Sequence, residues 1–262
     1  MSLVALDIQA IQNARIIDLA QPWRVGMPHW PSHPPFLYGL TKAHGDMIVG
    51  DGVSSSADSL ALGGHVGTHL DALCHFSCGG KLHGGVEAEA VQSDRGFREL
   101  GIETVRPIVR RGVLFDIAGD RGPLPNFRLI LPEDLERASH GVSLSPGSVA
   151  LIRTGWAQYW NDHRTMSGAQ TPGPGIEAAR WLSAHGIFAA GSDTLAFEAT
   201  PTLFTVHAHL LVEKGIHIIE ALNLEELAAE FRKSGAREFL FIGSPLKIEG
   251  GTGSPMRPFA ML

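Results

Sequence analysis

A chain of 262 residues with 44% apolar and 18% charged residues can bury a large core and has no compositional reason to be disordered. Its formal net charge of -6 leaves no basic footprint for nucleic acid or an anionic membrane surface, and no apolar run reaches the roughly 18 to 20 residues that span a bilayer. Cys74 and Cys78 make no disulfide framework, and the start Met1-Ser-Leu-Val-Ala-Leu-Asp7 lacks the basic region of an export signal, so a reducing cytoplasm is the expected location.

Apolar, β-branched runs of strand length bounded by Gly, Pro, Asp or Ser recur at 15–19, 112–117, 148–153, 187–190, 217–222 and 238–242. Helical patterns fall between several of them. Residues 132–139 begin with proline and acids, 175–185 stop at Gly186, and Asn223-Leu-Glu-Glu226 has a capping-box arrangement before 227–231. Strands interleaved with helices give an α/β class. No repeat, linker or boundary interrupts the pattern, and the proline- and glycine-rich pieces 30–36 and 171–175 read as ordered loops, so 1–262 is read as a single domain.

The densest chemistry lies in His65-Val-Gly-Thr-His69-Leu-Asp71-Ala-Leu-Cys-His75, with three imidazoles and a carboxylate in eleven residues. Imidazole plus carboxylate suits a divalent metal with an open catalytic position. Gly63, Gly64 and Gly67 argue against a regular helix at its start, so a glycine-rich turn entering a short helix is expected. Cys74 and Cys78 are spaced one residue too far for a C-x-x-C pair and have no second pair, which excludes a four-thiolate site.

Further ligands are sought downstream. Leu203, Val206, Leu210 and Leu211 make the apolar stripe of a helix ending at Gly215. His207 falls on that stripe and His209 off it; His207 is the better candidate and His209 the alternative. Alternation puts Ile216, Ile218 and Glu220 on one strand face, and a carboxylate there demands a partner, either a metal or an arginine.

The string H-x-G-T-H-x-D-x-x-x-H resembles the signature H-x-G-T-H-x-D-x-P-x-H of the metal-dependent cyclase/hydrolase family that includes bacterial kynurenine formamidase and isatin hydrolase, with Leu73 in place of its proline. Asp18-Leu-Ala-Gln-Pro22, Met27-Pro-His-Trp-Pro31, Ile152-Arg-Thr-Gly-Trp156, Gly191-Ser-Asp-Thr194 and Ser254-Pro-Met-Arg257 extend the resemblance over nearly the whole chain. It implies a swivelling β/β/α fold and a homodimer or homotetramer. It also implies Zn²⁺ or Mn²⁺ held by His65, His69 and Asp71 with a later His and Glu, here His207 and Glu220. His75 takes the role of catalytic acid and base, and Thr68 supports the loop. The family suggests that the apolar 23–36 segment lies near the site, which makes Trp23 and Trp30 candidates to contact an aryl substrate.

The function implied is hydrolysis of a C–N bond in an aryl formamide or small cyclic amide such as N-formylkynurenine or isatin, by metal-activated water. A metal-dependent cyclase or lyase, and a non-catalytic metal-binding protein, are the alternatives. Nothing resembles a complete nucleotide-binding loop.

Overall fold

The computed structural model describes residues 8–262, so the reading of the start, residues 1–7, lies outside the described residues. Ile108–Asp116, Val149–Arg153, Ala189–Ser192 and His217–Glu220 run parallel in the middle of a nine-stranded sheet. Their near-continuous apolar character follows from cover on both faces, with Val149–Arg153 and Ala189–Ser192 buried at every position. Glu238–Gly243, Phe259–Met261 and Ile16–Asp18 extend one side antiparallel, and His69–Asp71 and Gly253–Pro255 extend the other.

The period of two sorts the strand residues into two cores. Leu114, Leu151 and Ile219 join Phe231 and Phe241 on one face. Val113, Phe115, Ile152 and Ile218 join Leu182 and Leu210 on the other. Ile176–Ala184 and the helix from Thr205 to Lys214 supply the second core, and Glu225–Ser234 the first. The helix Pro132–Ser139 has its expected bounds: Pro132 fills its first position, and the Leu131 amide donates to the Asp134 carboxylate at 3.0 Å. No helix among the described residues is long and apolar enough to cross a membrane.

Three expectations are corrected. The segment read as a turn entering a short helix is a turn entering the strand His69–Asp71. Leu203 lies outside the apolar stripe, 91% exposed, because its helix starts at Thr205. Asn223 forms no capping box: its side chain meets only the Glu225 amide, at 3.4 Å, ahead of the helix Glu225–Ser234.

One feature stands away from the sheet. Leu37–Lys42 and Ala57–Ala61 form an antiparallel ribbon exposed at every position except half-buried Lys42. Its exposed side chains include Leu37, Leu40 and Leu60, with Ile48, Val49 and Val53 beyond them toward the tip.

The carboxylate of Asp193, buried just past the end of Ala189–Ser192, accepts from the Thr154 amide (2.9 Å), the Thr154 hydroxyl (2.6 Å) and the Gly155 amide (2.8 Å). The Gly191-Ser-Asp-Thr194 turn therefore ties two neighbouring strand ends together. Asp193→Ala strands two buried amides and should cost about 2 to 4 kcal/mol, read as a lowered urea midpoint at unchanged slope.

Candidate metal centre

Strand geometry assembles the motif. His69 and Asp71, two apart, share a face, and the antiparallel register with His217–Glu220 sets Glu220 directly opposite His69. His65 reaches the same place from the preceding turn. That turn needs Gly67, whose φ is +63° and whose Cβ would lie 2.4 Å from Nε1 of Trp23. Across the strand pair, a Cβ on Gly253 would lie 2.5 Å from the His65 ring. Thr68 anchors the turn, its hydroxyl donating to the Ala221 carbonyl at 2.6 Å and accepting from the Gln21 amide at 2.9 Å.

His207 enters from the first turn of its helix. The polar atoms converge tightly: His65 Nδ1 lies 2.8 Å from Asp71 Oδ1, His69 Nε2 lies 3.5 Å from Asp71 Oδ1 and 3.4 Å from Glu220 Oε2, and His207 Nε2 lies 3.1 Å from Glu220 Oε1. Two donor sets result, His65 with His69 and Asp71, and Asp71 with His207 and Glu220, each with its atoms within 4.8 Å of one another. All five side chains are buried.

Hydrogen bonds behind the cluster orient it. His69 donates from Nδ1 to the Gly67 carbonyl at 2.8 Å, and His207 donates from Nδ1 to Glu198 Oε1 at 2.6 Å. In neutral imidazoles this leaves both Nε2 lone pairs facing inward. The Phe197 amide donates to Glu220 Oε1 at 2.7 Å, and His217 Nδ1 donates to the Asp71 carbonyl at 2.9 Å. His69 Nε2 and Asp71 Oδ2 are left buried with no partner.

Such a pocket requires positive charge. Burial alone would push Asp71 and Glu220 up, but His75, His65 and His69 hold Asp71 well below the usual carboxylate range, and His207 and His69 lower Glu220 to about 2. Burial alone would lower His69 and His207, but Asp71 and Glu220 raise His69 to about 10, and Glu198 and Glu220 raise His207 to about 10. Two ionised carboxylates among inward-facing imidazoles, with orphaned atoms between them, fit a divalent cation.

His75 stacks on His65 with ring centroids 3.8 Å apart, and burial lowers it to about 3. It lines a cavity of about 190 Å³ with Trp30, His33, Phe76, Leu195 and Phe204, floored by His65, His207 and Glu220. Trp23 is not brought there: it packs edge-on against Phe36 and lines a separate cavity of about 780 Å³ with Gln21, Asn223 and Met256. His209 faces the Ile176–Ala184 helix instead, bonded to Ser183 Oγ at 2.8 Å and Glu213 at 2.7 Å.

Sequence reasoning missed Glu198, His33 and His217. Glu198 was open to detection, as a carboxylate inside the apolar run Leu195-Ala-Phe-Glu-Ala199. His33, held below its ordinary value mainly by burial and then by the His65 and His69 imidazoles, carries no local signal.

The sequence model of a family described as putative cyclase matches residues 17–199. The chain belongs to that cyclase family. Isatin hydrolase of Roseibium aggregatum is 29% identical over 225 residues, 81% of this chain and 77% of the relative, and kynurenine formamidase of Bordetella petrii is 24% identical over 246 residues, 93% and 96%. The crystal structure of a novel cyclase is 30% identical with a TM-score of 0.89 over 97% of this chain and 88% of that one. Isatin hydrolase A from Ralstonia solanacearum shares the fold at 24% identity, TM-score 0.78, over 100% and 99%. The α/β class expected from strands interleaved with helices, and the cyclase-type fold expected from the resemblance, are thus those of solved family members. His207 and Glu220 lie beyond the matched stretch; the sheet register and the helix bring them to the cyclase motif.

Replacing Glu198 with Ala frees the His207 ring and should weaken Zn²⁺ or Mn²⁺ binding about 10- to 100-fold, while His69→Ala should abolish it; chelator competition and metal-dependent thermal shifts read both.

Proposed function

We propose that this cyclase-family protein is a metal-dependent hydrolase that cleaves the C–N bond of an aryl formamide or small cyclic amide, with N-formylkynurenine and isatin as candidate substrates. The observation that carries the reading is the pair of buried, partnerless atoms, His69 Nε2 and Asp71 Oδ2, facing a neighbouring imidazole and carboxylate beside an aromatic-walled cavity. The names of the relatives, isatin hydrolase and kynurenine formamidase, support the reaction class.

His65, His69, Asp71, His207 and Glu220 hold the ion, and imidazole with carboxylate suits Zn²⁺ and Mn²⁺ alike. When bound, the ion supplies water activation near neutral pH and polarisation of the substrate carbonyl. The chain's own residues do the rest. Trp30, Phe76 and Phe204 pack against an aryl group, Trp30 and Phe76 each within 6 Å of the Phe204 ring. Hydrolysis moves a proton from water to the departing nitrogen, and His75, which lines the cavity outside the candidate ligand set and stacks on His65, is placed to carry it. Burial holds His75 at about 3, so its ring is neutral at working pH.

The assembly is a homo-oligomer in this reading. A two-stranded ribbon bare on both faces is marginal in water, and Leu37, Leu40, Leu60 and the apolar tip side chains find cover on a second copy.

His75→Ala should retain metal and lose about 10²-fold or more in turnover, measured on metal-reconstituted protein with N-formylkynurenine and isatin in parallel ultraviolet assays; full activity in the variant removes His75 from the mechanism. Light scattering should give a dimer or tetramer, and Leu40→Glu with Val53→Glu should shift it toward monomer with the fold intact by circular dichroism.

A further inference from the structure

A further cavity, of about 250 Å³, shares no lining residue with the one beside the metal centre. Arg106, Arg110, Leu73, Phe188 and His217 stand in its wall, and no carboxylate is among its lining residues. In a chain of formal net charge -6, two guanidinium groups thus line one space without a counter-charge. Both arginines are exposed, and neither makes an ion pair among the described residues. Arg110 donates to the Gly147 carbonyl at 3.2 Å and lies 4.2 Å over the centre of the Phe188 ring, whose centroid is 5.2 Å from that of His217. His217 is 8% exposed and fixed in orientation by the bond from its Nδ1 to the Asp71 carbonyl at 2.9 Å. A carbonyl oxygen only accepts, so Nδ1 carries the proton, and in the neutral imidazole that burial favours Nε2 holds a lone pair. That Nε2 has no partner among the described residues and, unlike His33 Nδ1, is not sealed from solvent.

We infer that this cavity is a second ligand site, one that binds a single-ring aromatic carboxylate carrying an ortho amine: Arg106 and Arg110 hold the carboxylate, Phe188 and Leu73 pack the ring, and Nε2 of His217 accepts from the amine. Each part of the wall asks for one part of that ligand. Planar guanidinium groups match a carboxylate, and an unpaired pair of them repels until an anion arrives. An aromatic and an aliphatic side chain favour a flat apolar body, and a buried lone pair on a fixed ring needs a donor. The hydrolase reading above supplies the source of such a molecule. When water opens a cyclic amide such as isatin, the C–N bond breaks, the hydroxyl goes to the carbonyl carbon to leave a carboxylate, and the proton goes to nitrogen to leave an ortho aryl amine. The released product class therefore has a place to bind apart from the candidate metal ligands.

The probe is 2-aminobenzoate, titrated calorimetrically into metal-loaded protein beside benzoate and aniline. Wild type should bind 2-aminobenzoate saturably. Benzoate, which lacks the donor, should bind roughly 3- to 10-fold less tightly, and aniline, which lacks the carboxylate, roughly 10- to 100-fold less tightly, the losses expected for one neutral and one charge-assisted set of hydrogen bonds. Arg106→Ala with Arg110→Ala should weaken 2-aminobenzoate by the same roughly 10- to 100-fold. Arg106→Ala alone removes a side chain with no ion pair, so it should weaken binding in the same direction with the melting temperature unchanged. No binding to wild type, equal binding by the arginine variants, or benzoate binding as tightly as 2-aminobenzoate overturns the assignment. Binding that is lost in His69→Ala along with the metal but kept in both arginine variants places the carboxylate on the ion and overturns it too. The titration reads binding and not turnover, so a failure to hydrolyse isatin or N-formylkynurenine counts against the hydrolase reading alone.

Discussion

The antiparallel pairing of His69–Asp71 with His217–Glu220 is the constraint on which the site depends. Because side chains alternate along a strand, a single register decides that His69, Asp71 and Glu220 meet; a slip of one residue would turn all of one strand's ligands to the opposite face. That register is held from both sides. Gly253–Pro255 pairs with the other edge of His69–Asp71, and the parallel strand Ala189–Ser192 holds the far edge of His217–Glu220. Two carboxylates placed together in a dry pocket repel, so the fold is stable there only with compensating positive charge, carried by protons on His69 and His207 or by a metal. A divalent cation held there would meet the energetic demand of the fold and the requirement of catalysis together.

Orientation comes from a ring of ordinary hydrogen bonds outside the cluster. The Gly67 carbonyl, Glu198 and the Phe197 amide determine which atoms of His69, His207 and Glu220 face inward. Thr68 joins the turn to Ala221 and Gln21, so motif, strand end and N-terminal segment move as one body. The Thr68 bonds to Ala221 and Gln21 and the Phe197 bond to Glu220 join segments distant in sequence, so they hold the three stretches of chain that build the site against one another.

Much of this was legible in the sequence, for identifiable reasons. The central parallel strands and the helices Pro132–Ser139 and Ile176–Ala184 read well because burial on both faces, or a proline and glycine at the ends, leaves a strong local mark. Glu220 stood out as a charge on the face of Ile216 and Ile218, and those two do lie in one core. The motif's own strand escaped because its three residues are too few to show a period and the glycines before it suggested only a turn. Gly253–Pro255 and Phe259–Met261 escaped for the same reason of length. The strand Ile108–Asp116 was read as starting four residues late, at Gly112, because of its first four residues only Ile108 is buried and two are arginines. Trp23 shows the limit of composition: an aromatic in an apolar loop belongs somewhere dry, but only the fold says that its indole backs the Gly67 turn while Trp30 faces the cavity.

The division between motif and walls bears on substrate choice. The candidate ligands and their supports come from the motif turn and strand, the strand end at Glu220 and the helix at His207. The cavity walls come from elsewhere: Trp30 and His33 from the proline-rich segment, Phe76 just past the motif, Leu195 and Phe204 from the loop that carries Glu198. A chain can keep the first group while its wall residues vary, which is why identities of 29% and 24% to an isatin hydrolase and a kynurenine formamidase give the reaction class without choosing between them. The walls themselves are more restrictive. Trp30, Phe76 and Phe204 line a space of about 190 Å³ beside the candidate ligands, so the fit of an aryl group against these rings, not the metal chemistry beneath, would discriminate one amide from another.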